Sequence, residues 1–574
     1  MSHYVIPNSV LENDFNFLVK SWEDFKNNKI DEATFKIIRV SYGIYEQREK
    51  NTYMVRIKTH GGQITPKQLL GISKLAQNYA NQNLHITTRG GIQLHYVDFE
   101  NLCVVTQKLH KLGLSGRGSG GNCVRGIVGD ALSGIAKDDV FDVQPYANAL
   151  TNKMLTLKDS FNLPRKFKIS FSSSKADRAT ATITDVGFIA TKKGNRKGFI
   201  VYIAGGMGSK SRLGYKISDF LPAKECFSFA QAVKQVFDKY GNRENKHSAR
   251  LRFLADKIGI EELTKHIEQE KQLIQESQKD WEIKISKSSI KLPKLERKAL
   301  PKMTKEEKLW WNRFVREQKQ SGYFYAKVPL TLGDIPYKSA EKLANALKGV
   351  NPHCIAFGQN QNLYVRNLSA EQMLKLYPIL TEFSPQSKQA TIFGDMVACT
   401  GAATCQLGIA RPRGAVLKIE KYLLQSKIDL DALQDFRIQL SGCPNSCGNH
   451  FTANLGFFGK IQRQGGIPYP AYNVVAGGIV EEGKTRFAKK ITQIAAFYLP
   501  EFIYKVLTRF LEVKKQFKTF ETWVDSSGEE EIIKIAESFA KIPDFSENPK
   551  PYYDWSSEEL FSVSLKKNGI GEEN

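Results

Sequence analysis

The sequence predicts an α+β fold in an internally duplicated chain, and two sets of repeated stretches support this prediction. The stretch 53–97, which begins YMVRIKTHGG, aligns with the stretch from Tyr323, which begins YFYAKVPLTLGD. Further on, FKISF from Phe167 matches FRIQL from Phe436, and DVGF from Asp185 matches NLGF from Asn454 in the same register of 269 residues. Matches that keep one order along the chain indicate a duplication.

The two aligned stretches predict the same succession of elements. Each reads as a strand, a glycine-containing turn, a helix, and two strands joined by a tight polar turn, which is typical of a helix packed on an antiparallel sheet. A third match, of Ala204-Gly-Gly with Ala476-Gly-Gly, extends the repeat. The polar region 261–312, which contains KLPKLERKALPKMTKEEK, predicts a helix followed by an exposed linker between the copies.

Length and charge restrict the class of protein. A chain of 574 residues, 41% of them hydrophobic, is long enough for several domains with large buried cores. A net charge of +24 leaves anionic substrates, acidic proteins, nucleic acid and anionic membranes open as partners. The basic residues are spread along the chain, which argues against nucleic acid. No apolar run approaches a membrane span and no targeting segment is evident, so we expect a cytoplasmic protein.

Four of the eight cysteines form two close pairs, Cys399-x5-Cys405 and Cys443-x3-Cys447. Such a set suits a cubane iron–sulfur cluster, which needs thiolates converging from about four directions. The intervening Pro444-Asn445-Ser446 favours the tight turn that this requires. Structural zinc is the alternative, although zinc pairs favour about two to four intervening residues in both halves. The other four cysteines are scattered along the chain, which is typical of a protein from a reducing compartment; they are Cys103, Cys123, Cys226 and Cys354.

Cys-x5-Cys followed by Gly-Cys-Pro-Asn-Ser-Cys resembles the sulfite and nitrite reductases that contain sirohaem and a [4Fe–4S] cluster. The resemblance implies that the four paired cysteines bind the cluster and that Cys447 also bridges to the sirohaem iron. Electrons would enter through the cluster and leave through that iron to a bound oxyanion. For the fold, it implies two ferredoxin-like half-domains and two larger α/β sirohaem and cluster domains in a pseudo-two-fold arrangement.

The resemblance and the repeat together predict a division of the chain into seven parts. In chain order these are an N-terminal extension over 1–50, a ferredoxin-like half-domain over 51–115, a substrate and sirohaem domain over 116–260, a polar helix and linker over 261–315, a second ferredoxin-like half-domain over 316–385, an iron–sulfur and sirohaem domain over 386–543, and a partly ordered acidic tail over 544–574.

Four cations of the first copy match the substrate pocket of the family, and the resemblance implies a catalytic role for them. They are Arg56, Arg125, Lys166 and Lys168. If Lys166 and Lys168 lie on a strand, their alternation points both to one face. Such a cluster is costly unless an anion neutralises it, and sulfite or nitrite beside a polycarboxylate macrocycle would do so. A solvated strand face is the plainer interpretation of the two lysines.

The segment TTRGGIQLH, residues 87–95, resembles the family segment that holds the sirohaem carboxylates. Arg89, Gln93 and His95 alternate with apolar residues and are expected on one strand face. Asn445 and Cys447 complete the expected cofactor-binding set. Arg117, in a glycine-rich loop, is a further candidate for binding carboxylates, and a flexible connector is the alternative. His450 is interpreted as a residue that caps the cysteine turn.

The leading hypothesis is six-electron reduction of sulfite to sulfide. Lys168 favours sulfite, because nitrite reductases resembling this chain tend to carry Asn there and sulfite, largely a dianion, suits an extra ammonium group. Six-electron reduction of nitrite to ammonia by the same cofactors is the alternative. A hydroxylase of the cobalamin pathway shares the cysteine motif but resembles only about half of this length, so the full double repeat disfavours it. A zinc-stabilised nucleic-acid-binding protein explains the charge and the cysteines but not the repeat.

The electron donor is expected to be a separate protein, because no Gly-x-Gly-x-x-Gly follows a predicted strand. An acidic ferredoxin or flavodoxin fits both the positive charge and the cluster. A dedicated flavoprotein subunit is the alternative.

Overall fold

The computed structural model describes residues 7–277, 285, 292–296 and 299–562. The chain divides into two compact units, which are described separately. The first unit comprises Met1–Glu46, Asn51–Lys388 and Val480–Lys484, and the second comprises Gln47–Lys50, Gln389–Ile479 and Thr485–Asn574. Within the described residues, no helix is long and apolar enough to cross a membrane.

The first unit opens with two helices and the first half-domain. A capping box at Thr65 and Gln68, with Pro66 at the first helical position, fixes the start of the central helix of this half-domain. The elements are α1 Asn8–Lys26, α2 Glu32–Ser41, β1 Ile44–Glu46, β2 Thr52–Ile57, β3 Gln63–Ile64, α3 Pro66–Tyr79, β4 Asn83–Ile86, β5 Ile92–Asp98 and α4 Leu102–Lys111.

A larger α/β domain follows in the same unit. Its sheet has the order β10-β9-β8-β7-β6, with β6, β7 and β8 parallel and the rest antiparallel. Its core contains fully buried phenylalanines such as Phe167, Phe171 and Phe188. The elements are β6 Val128–Gly129, α5 Gln144–Thr156, β7 Ile169–Ser172, β8 Val186–Lys193, β9 Arg196–Ile203, β10 Tyr215–Pro222, α6 Cys226–Tyr240, α7 Leu251–Ile258 and α8 Ile260–Glu276.

The second half-domain completes the first unit. Its elements are α9 Lys305–Phe314, β11 Val315–Glu317, β12 Phe324–Val328, β13 Asp334–Pro336, α10 Tyr337–Ala346, β14 Ile355–Phe357, β15 Leu363–Leu368 and α11 Ala370–Phe383. The two half-domains exchange short strands, because β13 pairs with β4 and β3 pairs with β14. The sheet orders are therefore β1-β2-β5-β4-β13 and β11-β12-β15-β14-β3, and one apolar cluster is shared by both.

The second unit repeats the α/β domain. Its sheet order is β16-β17-β18-β19-β20, the same succession of parallel and antiparallel pairs as β6 to β10. The elements are β16 Met396–Ala398, α12 Pro412–Gln425, β17 Ile438–Ser441, β18 Leu455–Gln464, β19 Ile467–Ala476, β20 Lys489–Ala495, α13 Leu499–Val513, α14 Phe520–Trp523 and α15 Glu529–Glu537. The duplicated α+β fold is confirmed.

The repeat extends to backbone conformation. Asp177 and Ser446, 269 residues apart, both have left-handed φ values, of 45° and 56°. One sequence match is wrong by a residue. Ala204 and Gly477, not Ala476, are equivalent, because each donates its amide to the carbonyl of the residue that ends the preceding loop, Asp185 and Asn454, at 2.9 Å. The longer β18–β19 hairpin shifts the register there.

The described part of the C-terminal segment, as far as residue 562, packs within the second unit. Tyr552 is fully buried, and the indole of Trp555 donates to the Ala496 carbonyl at 2.7 Å. The Asp554 carboxylate accepts from the amide of Arg411 at 2.8 Å, next to the start of α12. The first part of the expected tail is thus packed into the second unit. Residues 563–574, and much of the expected linker, lie outside the described residues.

Candidate active site

The four paired cysteines lie on two loops of the second unit, at the ends of the parallel strands β16 and β17. The amide of Cys399 donates to the Leu440 carbonyl at 3.2 Å, and the amide of Gly442 donates to the Cys399 sulfur at 3.1 Å. Parallel strands bring their carboxyl ends to one edge of a sheet. The two loops therefore meet at that edge.

Glycines allow the two cysteine loops to pack closely. A Cβ atom on Gly442 would lie 2.7 Å from both the Ala410 carbonyl oxygen and the Gly401 Cα. The Gly442 carbonyl in turn accepts from the amides of Ile409 and Ala410, at 2.9 and 3.0 Å. Any side chain at 442 would separate the loops, so glycine there preserves the spacing of the cysteines.

The thiols of the four cysteines are close enough to influence one another. Burial, and then the charge of Cys447, raises the pKa of Cys399 to about 12. Burial raises the pKa of Cys405 and Cys443 as well, and Cys447 adds to both shifts. Without iron such thiols stay protonated, and iron supplies the positive charge that thiolates need. In the described residues, no three His, Cys, Asp or Glu side chains converge on a position for one metal ion. Four neighbouring thiols fit the ligand set of a polynuclear cluster.

Arg48 holds the loop that contains Cys405, a contact that sequence reasoning missed. Its Nε donates to the Cys405 carbonyl at 3.0 Å and its Nη2 donates to the Gly408 carbonyl at 3.2 Å. The same charge opposes the rise in the pKa of Cys405. No sequence signal pointed to this contact, because the two residues are 357 positions apart.

In the first unit, Arg56 and Arg125 converge on one carbonyl group. Both donate through Nη1 to the Ser119 carbonyl at 2.9 Å. Arg125 also donates through Nε and Nη2 to the Gly121 carbonyl, at 3.1 and 3.0 Å. The loop 119–121 thus holds two guanidinium groups close together, which is costly unless an anion lies nearby.

Lys166 and Lys168 precede β7 rather than lying within it, so their expected place on a strand is wrong. They flank Phe167, which is fully buried and forms an isolated parallel bridge with Val124. The local backbone is nevertheless held by pairing, because the amide of Lys168 donates to Asp185 at 2.8 Å. The two lysines are half-buried, which is inconsistent with the plainer interpretation of a fully solvated strand face.

The electrostatic surroundings of Lys168 are dominated by cations. Burial is the main cause that lowers the pKa of Lys168 well below its usual range. Like charges add to that shift; they are Arg89, Lys166 and Arg250. The carboxylate of Asp185 opposes the shift. A site with this balance of charge favours an anion.

Arg89, Gln93 and His95 do not all lie on one strand. Arg89 lies in the turn before β5, where its Nη2 donates to the carbonyls of Gly126 and Ile169, at 2.9 and 3.2 Å. Gln93 and His95 lie in β5. With its amide oxygen turned toward Arg56, Gln93 accepts from Nε and Nη2 at 3.0 and 2.7 Å and donates to Nε2 of His95 at 3.2 Å. The expected alternation holds for this pair only.

The guanidinium group of Arg89 is half-buried and incompletely paired. Its Nε is buried with no hydrogen-bond partner among the described residues. Burial lowers the pKa of Arg89 to about 10, and Asp185 opposes the effect. A buried donor without a partner is rare in native proteins, and the carboxylates of a bound macrocycle would satisfy it.

Two other candidates have structural contacts. Arg117 forms an ion pair with Asp14 of α1, and its Nε donates to the Leu155 carbonyl at 3.1 Å. The hypothesis that Arg117 binds a ligand carboxylate is therefore not favoured. His450 is fully buried, contacts Ser441 through Nδ1 at 2.9 Å and stacks on Phe458. These contacts hold the cysteine turn against β17, as a capping residue would.

Sequence reasoning also missed Arg250 and Arg252, at the start of α7. Arg250 forms a two-point ion pair with Asp185, at 3.2 Å from Nε and 2.8 Å from Nη2. Burial and the charge of Arg250 lower the pKa of Arg252 to about 10. The ARLRF pattern offered one signal, since two arginines alternate with apolar residues in a segment that packs into the core.

The duplicated fold, the four-thiol site and the buried cations define an oxidoreductase that binds an iron–sulfur cluster and an anionic ligand. The family model described as the nitrite and sulphite reductase 4Fe-4S domain matches residues 120–274 and 393–543. The nitrite/sulfite reductase ferredoxin-like half domain matches residues 45–112. The chain belongs to the nitrite and sulfite reductase family, and sirohaem and a [4Fe–4S] cluster are its cofactors.

Similar proteins carry the names of both reductases. The assimilatory ferredoxin-dependent nitrite reductase of Haloferax mediterranei is 25% identical to this chain, and the aligned region covers 90% of this chain and 89% of that reductase. Sulfite reductase [ferredoxin] 1 of Mycolicibacterium paratuberculosis is also 25% identical, and the aligned region covers 85% of this chain and 88% of that reductase. The structure of Mycobacterium tuberculosis NirA has the same fold, with a TM-score of 0.75 at 23% identity over 88% of this chain and 92% of that chain.

Proposed function

We propose that this protein reduces sulfite to sulfide by six electrons. The observation that carries the proposal is the position of Lys168, half-buried among other cations whose effect on it Asp185 opposes. A site with such an excess of positive charge suits a dianion better than a monoanion. Nitrite, reduced to ammonia, is the second candidate, and relatives named for each anion support keeping both.

The four cysteines are the proposed ligands of the cluster, with Cys447 also bridging to sirohaem. Cys447 is exposed within the second unit, whereas the other three are partly buried. Exposure suits a sulfur that must reach a second metal. Asn445 hydrogen-bonds to the sulfur of Cys443 through its backbone and side chain and favours the thiolate. When bound, the two cofactors supply the electrons one at a time to the anion.

The four cations of the first copy are proposed to bind and protonate the substrate. Arg56 and Arg125 present planar guanidinium groups that orient an oxyanion. Lys168, whose pKa is lowered by burial and by neighbouring cations, donates protons more readily than an ordinary lysine. Lys166, one of those neighbours, is the proposed second donor. Each oxygen that leaves the substrate departs as water, so proton donors are required throughout.

Arg89, Gln93 and His95 are proposed to bind the carboxylates of sirohaem. The unsatisfied Nε of Arg89 supports this role. Gln93 and His95 form a chain of hydrogen bonds to Arg56, which would couple the position of the macrocycle to that of the anion.

The donor is proposed to be an acidic electron carrier, of which ferredoxin is the one that the relatives' names give. The net charge of +24 supports an acidic partner, and a flavodoxin or a flavoprotein subunit remains the alternative. The cysteine usage supports a reducing compartment such as the cytoplasm.

The deciding experiment is a comparison of the two anions. The purified protein should have the visible absorption of sirohaem, and steady-state assays with sulfite and nitrite should give the higher kcat/KM for sulfite. A kcat/KM for nitrite well above that for sulfite would overturn the choice of anion. A colourless protein after reconstitution would overturn the proposed function altogether.

A further inference from the structure

Tyr472, in the middle of β19, carries a buried hydroxyl group without a hydrogen-bond partner. Its side chain is fully buried, and among the described residues nothing donates to the phenol oxygen or accepts from it. Leaving a buried hydroxyl unpaired is costly, and nearly all such groups in native proteins are hydrogen-bonded. The hydroxyl of Tyr472 therefore indicates a partner other than the described residues.

The side chain of Tyr472 lies on the face of the sheet that the cysteine loops cover. Tyr472 is paired with Gly459 of β18, and residues directly opposite each other on neighbouring strands point to the same face. On that face, a Cβ atom on Gly459 would lie 2.5 Å from the Gly442 carbonyl oxygen and 2.8 Å from Cβ of Ala410. These two residues belong to the two cysteine loops. The absence of a side chain at position 459 leaves room for the phenol ring beside them.

Two acidic groups act on the hydroxyl of Tyr472. Burial raises the pKa of Tyr472, and the charges of Asp554 and Cys399 add to the shift. Asp554 belongs to the C-terminal segment, and its two carboxylate oxygens accept from the backbone amides of Arg411 and Trp555, each at 2.8 Å. The phenol thus stays protonated and can donate, and the acceptors near it lie toward either Asp554 or Cys399.

We propose that Tyr472 donates a hydrogen bond to a sulfur atom of the bound cluster on its Cys399 side and thereby raises the reduction potential of the cluster. This inference rests on the proposed role of Cys399 as a cluster ligand. Each carboxylate oxygen of Asp554 already accepts from a backbone amide. The sulfur atoms of the cluster gain negative charge with each electron, and hydrogen bonds to them stabilise the reduced form. The role does not depend on which anion the enzyme reduces.

The experiment measures the midpoint potential of the cluster in the holoenzyme, by a redox titration followed by EPR. Tyr472→Phe removes the hydroxyl alone, and replacement of Tyr472 by a ring-fluorinated tyrosine keeps the shape and makes the hydroxyl a stronger donor. Tyr469→Phe makes the same change earlier on β19, on the opposite face of the strand, and is the control. Asp554→Asn, alone and combined with Tyr472→Phe, tests the competing acceptor.

Tyr472→Phe should disfavour reduction of the cluster by about threefold to tenfold, which lowers the midpoint potential by about 30 to 59 mV for one electron. The fluorinated tyrosine should raise the potential, and Tyr469→Phe should match the wild type. The fall caused by Tyr472→Phe should persist in the Asp554→Asn background.

Three results would overturn the proposal. A fall that vanishes in the Asp554→Asn background would show that the hydroxyl acts on Asp554. An unchanged potential at full cluster content would assign the hydroxyl to Asp554 or to a buried water, and a shift of the opposite sign would exclude a donor to sulfur. If Tyr472→Phe does not fold, the fluorinated protein decides. A wild-type protein without any cluster signal would instead overturn the proposed function itself.

Discussion

The backbone amide of Lys168 donates to the carboxylate of Asp185 at 2.8 Å, and the equivalent amide in the second copy, that of Arg437, donates to Asn454 at 2.7 Å. The duplication has kept the hydrogen bond and changed the charge of its acceptor. Asp185 is fully buried and also pairs with Arg250. The second copy has an amide where the first has a carboxylate, so the carboxylate of the first copy serves the cations around it.

This relationship predicts the effect of Asp185→Asn. The amide oxygen of Asn can accept from Lys168, as Asn454 accepts from Arg437, but it leaves the buried charge of Arg250 without an anion. We expect a loss of about 3 kcal/mol in the free energy of unfolding, measured by urea denaturation. Asp256→Asn breaks an exposed ion pair with Arg212 and should cost less than about 1 kcal/mol. Equal losses in the two variants would contradict the argument.

The second prediction concerns the choice between sulfite and nitrite. Lys168→Asn removes one positive charge from a half-buried site, and the loss should weaken binding of a dianion more than of a monoanion. We expect the ratio of kcat/KM for sulfite to that for nitrite to fall about tenfold or more. Lys192→Asn, at an exposed position of β8, makes the same change as a control. A ratio that does not change in Lys168→Asn would show that this residue does not select the anion.

The third prediction concerns Cys447. Cys447→Ser should abolish the cluster absorption and the turnover, because serine offers a poor ligand for iron and cannot bridge to sirohaem. Cys354 is fully buried and lies in the second half-domain, just before β14 and outside the two cysteine loops, so it serves as the control thiol. Cys354→Ser should keep the visible spectrum. If Cys447→Ser retained a full cluster, a normal sirohaem spectrum and normal turnover, the bridging role would be wrong.

The repeat alone could not predict the four thiols of this site, because the first copy has other residues at the corresponding positions. Residues 269 positions before the four cysteines are Asp130, Ala136, Ser174 and Arg178. The correspondence holds in hydrogen bonding, since the amide of Asp130 donates to the Phe171 carbonyl as that of Cys399 donates to Leu440. Asp130 and Arg178 form an ion pair at 3.3 Å. The first copy thus holds its loops with an ion pair where the second has thiols.

The features of the fold and the site that the sequence predicted are those that lie in short continuous segments. The paired cysteines, the duplicated strands and the cations before β7 were evident because each lies in a short continuous motif. The strand exchange of β3 and β13 was not, because strands of two and three residues carry no periodic signal. The contacts of Arg48 with Cys405 and of Arg250 with Asp185 join residues far apart in sequence, and only the fold brings them together.

The fourth prediction concerns pH. Burial raises the pKa of Asp139 to about 7, and the charge of Asp130 adds to the shift while Ser173 and Lys319 oppose it. A group whose pKa is raised in the folded state stabilises the fold at low pH, and that contribution is lost as pH rises from about 4 through about 7. Asp139→Asn should therefore show a smaller fall in unfolding free energy between pH 5 and pH 8 than the wild type does, measured by urea denaturation. Asp256→Asn should follow the wild type. Parallel pH profiles for Asp139→Asn and the wild type would contradict the shift.

The last prediction concerns the electron donor. A protein with a net charge of +24 attracts an acidic carrier over long distances at low salt, and the attraction weakens once the Debye length falls below about 10 Å, above about 0.1 M salt. We expect turnover supported by a ferredoxin to fall steeply with ionic strength, chiefly through a rise in the KM for the carrier, because steering acts on the encounter and not on the chemistry. Turnover with a small neutral reductant should change little over the same range, since such a molecule gains nothing from the field. The measurement is a pair of salt titrations on one enzyme preparation with the anion at saturation. Identical salt profiles for the two donors would mean that the positive charge does not serve docking and would favour a stably bound flavoprotein subunit as the donor.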